Sequence, residues 1–159
     1  MDIDDIFEKK TKDLGWITPN MLDIKNISIN QLYFTQLCFK NLDLGKSVND
    51  KLNCIREAHA SLNNVIKFSN GNESDAGQDE ITPVFQYILI KAKPRRIFSN
   101  IYYIKTFLDD SELSGSKGFL VTQIESATSY IQNINYEALR MTEKEFNEKM
   151  EEWKKLNIK

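Results

Sequence analysis

The chain has 159 residues, about one domain's worth, and 41% of them are hydrophobic, enough for one core. Its 21 basic and 23 acidic residues are interspersed and leave a net charge of −2, without the basic face of a general nucleic-acid binder. No run approaches the ~20 apolar residues of a membrane span, and the acidic start "MDIDDIFEKK" lacks the features of a secretory signal.

Gly and Pro are scarce, and apolar spacing is helical nearly throughout. Residues 3 to 14 form a modest first helix. In "WITPNMLDI", Thr18 stands as N-cap with Pro19 at the first helical position. "SINQLYFTQLCFKNL" predicts a helix near 28 to 42. The clearest pattern is "SVNDKLNCIREAHASLNNVIKF", where Val48, Leu52, Ile55, Leu62 and Ile66 share one face. A polar loop covers 69 to 77 and a helix runs from about 79 to 92. The turn "KAKPRR", a helix in "SNIYYIKTFLDD" and a loop in "SELSGSKG" come next. A helix over 119–134 follows, and "MTEKEFNEKMEEWKKL" is the last, with Thr142 and Glu145 as a capping box. Strand alternation is absent. The expected fold is all-α, a layered bundle of roughly eight helical segments forming a single domain over 1–159.

Two helices carry two distinct faces. In 79–92, Ile81, Val84, Phe85, Ile88, Leu89 and Ala92 form the core side, and Asp79, Pro83, Gln86 and Ile90 lie opposite. In 119–134, Leu120, Ile124, Ala127, Ile131 and Ile134 form the core side, and Phe119, Thr122, Ser126 and Ser129 lie opposite. A plain surface helix would place Lys and Glu there. Either another helix of this chain or a partner covers these second stripes. Asp79 and Glu80 suit a helix start by dipole and capping. The alternative is that one acid is aimed outside the chain.

Other motifs carry less. "GKS" at 45–47 is no Walker-A loop, since the glycine required five residues earlier is Lys40 and no strand precedes it. His59 is the single histidine, so metal sites and histidine-based triads have almost no material, and it reads as a core or rim residue. Cys38 and Cys54 read as buried thiols in a reducing cytosol. "KPRR" at 93–96 reads as a solvated turn. The glycosylation-like triplets at Asn26 and Asn72 mean little without a signal. Near the C-terminus, Phe146, Met150 and Trp153 make an apolar stripe suited to docking.

Together, "LGWITPNMLDI", "NDKLNCI", "DEITPVFQYILIKAKP", "SNIYYIKTF" and "ELSGSKGFLVTQIESATSYIQNI" resemble, in order and spacing, the conserved blocks of the vacuolar-protein-sorting-nine (Vps-nine) domain. The resemblance covers a core of roughly 12–135, and 136–159 is similar to the helical extension of the Rabex-type members. It implies an all-helical guanine nucleotide exchange factor for early-endosomal Rab GTPases, chiefly the Rab-five subfamily, working without a cofactor. It also implies a cytoplasmic protein recruited peripherally to early endosomes. In the family an aspartate preceding "xxxP" enters the GTPase nucleotide site, which here implies Asp79 followed by Pro83. A tyrosine and, three residues on, a threonine of the later helix map to Phe119 and Thr122. Threonine matches; phenylalanine keeps the ring and loses the hydroxyl. Gln86 and Ser126 complete the partner-binding set expected on the two stripes. Glu80, turned about 100° round the helix from Asp79, is expected to cap. The alternative is a helical adaptor that binds a Rab without exchanging its nucleotide.

Overall fold

The computed structural model describes residues 2–25, 27–71 and 77–157. Asn26, Asn72 and the stretch 72–76 of the expected polar loop lie outside the described residues. Among the described residues there are eight α-helices and no strand: α1 (Ile3–Asp13), α2 (Tyr33–Lys40), α3 (Val48–Ser69), α4 (Gln78–Ala92), α5 (Ile97–Phe107), α6 (Asp110–Leu113), α7 (Ser116–Gln132) and α8 (Glu143–Leu156). The all-α layered bundle is the fold expected.

Local capping chemistry sets several boundaries. Ser47 opens α3: its hydroxyl accepts from Asp50 N (3.0 Å), and the Asp50 carboxylate accepts from Ser47 N (3.3 Å). The serine of "GKS" is thus spent on a helix cap. Thr142 opens α8 by accepting from Glu145 N (3.1 Å). Thr18 holds a cap position, but its side chain makes no cap bond, and only a single 3-10 turn follows, Pro19–Leu22. Asp23 ends that turn in a left-handed conformation (φ 59°). The helix expected near 28–42 is divided into a 3-10 turn (Ile29–Leu32), α2 and a second 3-10 turn (Leu42–Leu44). The expected loop at 111–118 holds the end of α6, whose first turn Asp109 caps by accepting from Glu112 N (2.7 Å).

One cap comes from a distant part of the chain. The buried carboxylate of Asp4 on α1 accepts from Phe98 N (2.7 Å) and Ser99 N (3.3 Å), at the first turn of α5. It satisfies amides that have no partner within that helix and sits at the positive end of its dipole. The same corner holds Asn100, which donates to Asp43 (3.1 Å) and to the carbonyls of Arg95 and Arg96, and accepts from the buried ammonium of Lys51. Arg96 pairs with Asp43 at 3.0 Å, so half of the "RR" pair is tied into the fold.

α4 is the central helix, packed against α1, α2, α3, α7 and the Pro19–Leu22 turn. Its expected core residues Ile81, Val84, Phe85, Ile88, Leu89 and Ala92 are all buried, as are Leu120, Ile124, Ala127, Ile131 and Ile134 around α7. Enclosure goes further than a single face. Every residue from Val84 to Ile90 is buried, including Gln86 and Ile90. The expected outward position of Gln86 is therefore corrected: neighbours surround the second half of α4, and a partner reaches only its first turns. A helix apolar on all sides is a buried one, and the unbroken "YILI" (87–90) carries that signal.

At the other end of the chain α8 closes on α1. Trp153 Nε1 donates to Lys12 O (2.7 Å), Trp16 Nε1 donates to Met150 Sδ (3.1 Å), and the Trp16 and Phe146 rings meet edge-on at 5.5 Å. The apolar stripe of Phe146, Met150 and Trp153 thus docks intramolecularly, over Gly15. A Cβ at that glycine would collide with the Trp153 indole.

Candidate partner-binding site

The first turn of α4 presents its acids in different ways. Glu80 is held from two sides: its carboxylate accepts from Gly77 N (3.4 Å) and from Asn70 Nδ2 (2.9 Å), at the end of α3. It is the helix's cap, as expected. Asp79, exposed at the second helical position, makes no cap bond, and among the described residues nothing donates to its carboxylate. Pro83, one turn on, has no N–H, so the Asp79 carbonyl also lacks its usual helical partner. Asp79 and Pro83 flank a concavity of about 210 Å³ shared with Asp23, Lys25 and Ser69.

The neighbouring side of α4 forms a groove with α7. It has a volume of about 330 Å³ and is built from Gln78, Ile81, Thr82 and Phe85 of α4 with Phe119, Thr122, Gln123, Ser126 and Ala127 of α7. Thr122 and Ser126 are exposed, and Phe119 is 50% exposed, as the helical period requires. None of the lining residues is charged. Phe119 lies against His59 of α3, ring centres 6.3 Å apart and edge-on. His59 Nδ1 sits 3.1 Å from Asn63 Nδ2, and burial lowers the imidazole pKa below its ordinary value.

The structure thus sorts the six expected site residues. Phe119, Thr122 and Ser126 come together on the groove, Asp79 and Pro83 stand on the adjoining flank, and Gln86 is withdrawn into the core. The two surfaces meet along the start of α4, where Asp79 is about 60° round the helix from Thr82. Three groove residues were not singled out from sequence. Gln78 and Thr82 repeat at i, i+4 with Phe85 at i+7, and Gln123 follows Phe119 by four, so the same periodicity could have found them.

Surfaces of this kind, an apolar-floored groove with a hydroxyl and amide rim beside an unclaimed carboxylate, define a helical docking domain. Comparison with known proteins agrees. Residues 32–136 match the model of the Vacuolar sorting protein 9 (VPS9) domain, and the chain belongs to that family. It is 34% identical over 152 residues to the Vacuolar protein sorting-associated protein 9A of Oryza sativa subsp. japonica, covering 93% of this chain and 32% of the relative. It is 29% identical over 150 residues to the Rab5 GDP/GTP exchange factor of Homo sapiens, covering 90% of this chain and 30% of that protein. The Receptor-mediated endocytosis protein 6 of Caenorhabditis elegans is 36% identical over 93 residues, 58% of this chain and 8% of its own length. The chain thus spans about a third of the length of the first two. Among the described residues no helix is long and apolar enough to cross a membrane.

Proposed function

We propose that this chain is the exchange domain for a Rab5-type small GTPase, promoting GDP release without making or breaking a covalent bond. The observation that carries the reading is the unclaimed, exposed Asp79 beside Pro83, set next to a neutral groove that presents Phe119, Thr122 and Ser126. A GTPase holds its nucleotide through backbone amides and a lysine of the phosphate loop, with Mg²⁺ alongside. An exchange factor must bind the nucleotide-free form more tightly than the loaded one, since only differential affinity shifts an equilibrium. The groove grips apolar segments of the GTPase and draws them off the nucleotide. Asp79 then offers its carboxylate to the lysine that has lost its phosphate. Such a pair at ~4 Å and an effective dielectric of ~20 is worth about 4 kcal/mol before desolvation. In this reading the 12–135 core does this work, 136–159 is an extension braced on α1, and the protein is cytoplasmic and recruited peripherally to early endosomes.

Release of fluorescent GDP from a panel of small GTPases tests the proposal. Acceleration of a Rab5-type member at micromolar chain is expected. No acceleration of any member, with binding retained, would favour the adaptor reading, to which the missing hydroxyl at Phe119 points.

A further inference from the structure

Among the described residues, the buried side-chain nitrogen and oxygen atoms without a hydrogen-bond partner are His59 Nε2 and both amide atoms of Gln123. They are not scattered. Gln123 lines the α4–α7 groove, and His59 packs edge-on against Phe119, which lines it too. A buried amide with neither donor nor acceptor satisfied costs stability, and native folds rarely tolerate one without a reason. The rest of the fold is well paired: Asp4, Thr35, Lys51 and Asn100, all buried, have partners.

We infer that Gln123 is a partner-reading residue of this groove. Its carboxamide pairs with a main-chain N–H and C=O of an extended, uncharged partner segment lying between α4 and α7. The inference rests on the exchange reading for the identity of that partner, the GTPase. A carboxamide offers one acceptor and two donor hydrogens, which suits a peptide group's single donor and single acceptor. The neutral rim of Gln78, Thr82, Thr122 and Ser126 offers no counter-charge to an acidic or basic segment. Ile81, Phe85 and Ala127 give the segment's apolar side chains a floor. Phe119 covers the approach from one side, so the partner engages the ring and the amide together.

Gln123→Met tests this, because Met keeps length and bulk while removing both polar atoms. If the amide is reserved for a partner, Gln123→Met melts about 2–4 °C higher than the parent chain, the response to about 1 kcal/mol in a chain of this size. The same variant loses about tenfold in kcat/KM for GDP release, the size expected for two lost neutral hydrogen bonds. Gln123→Asn, which retains donor and acceptor on a shorter stem, loses less than the methionine variant. A methionine variant that exchanges as the parent does, or one that melts lower and slows only in proportion to unfolding, overturns the assignment. Failure of the parent chain itself to release GDP or to bind the nucleotide-free GTPase overturns the exchange reading instead, and the inference with it.

Discussion

Asn70, at the end of α3, donates its side-chain amide to the Glu80 carboxylate on α4 at 2.9 Å, and Glu80 also accepts from Gly77 N. The two neighbouring acids are therefore separable. Asp79→Asn removes a charge that makes no cap bond, so the melting temperature should move by about 1 °C or less, through the helix dipole alone. GDP release should slow roughly a hundredfold, the loss of part of a ~4 kcal/mol pair. Glu80→Gln, keeping an acceptor oxygen, should leave exchange within a few-fold. Glu80→Ala should cost about 1 kcal/mol of stability. Near-normal exchange by Asp79→Asn, in stopped-flow GDP release, would remove Asp79 from the mechanism.

Phe119 combines 50% exposure with an edge-on contact to His59. Phe119→Ala should weaken GTPase binding by about 1–3 kcal/mol, as for an interface aromatic. Phe119→Tyr should change exchange by less than about tenfold. Opening the cover over His59 should also raise its pKa toward the ordinary value of about 6.5, since burial is what lowers it. Calorimetry measures the first effect, and an NMR titration of the single histidine measures the last.

Gly118 sits where α6 crosses the start of α7, and a Cβ there would run into the main chain of Leu113. Backbone cannot step aside as a long side chain can. Gly118→Ala should therefore destabilise the protein by about 1–3 kcal/mol, lowering the melting temperature by several degrees, and should disturb Phe119, the next residue. Gly77→Ala is the control, because a Cβ there meets only the far end of Glu80. Equal melting of the two variants would show that α6 is not held against α7.

Burial pushes the Asp43 carboxyl up, but hydrogen bonds from Arg96 and Asn100 and the charges of Arg96 and Lys51 outweigh it, holding the pKa below the ordinary carboxylate value. A depressed carboxyl stabilises the folded state above its unfolded pKa. That contribution declines as pH falls below about 4 and is lost once pH has passed below the lowered folded value. Asp43→Asn should reduce stability at pH 7 and flatten the acid limb of a plot of melting temperature against pH. Parallel acid limbs for the two proteins would mean that Asp43 is not the group titrating.

Much was legible from spacing alone. The core faces of α4 and α7, the exposure of Phe119, Thr122 and Ser126, the Ser47–Asp50 box and the Glu80 cap all follow from residues within a turn or two of one another. A helix's period and its terminal amides are local physics. What spacing cannot report is how many sides of a helix its neighbours will cover. Gln86 lies opposite the apolar face of α4 and is buried nonetheless, because that helix became the centre of the bundle. Asp4 looks like one more acid at an acidic N-terminus, yet it caps α5 from 94 residues away. Gln123 reads as an ordinary polar residue, and only the packing of α3, α4 and α7 leaves its amide shielded and unpaired beside the groove. Local sequence determined which elements form and which faces are apolar; the burial of polar groups, and hence the division between scaffold and binding surface, was decided by contacts between residues far apart in the chain.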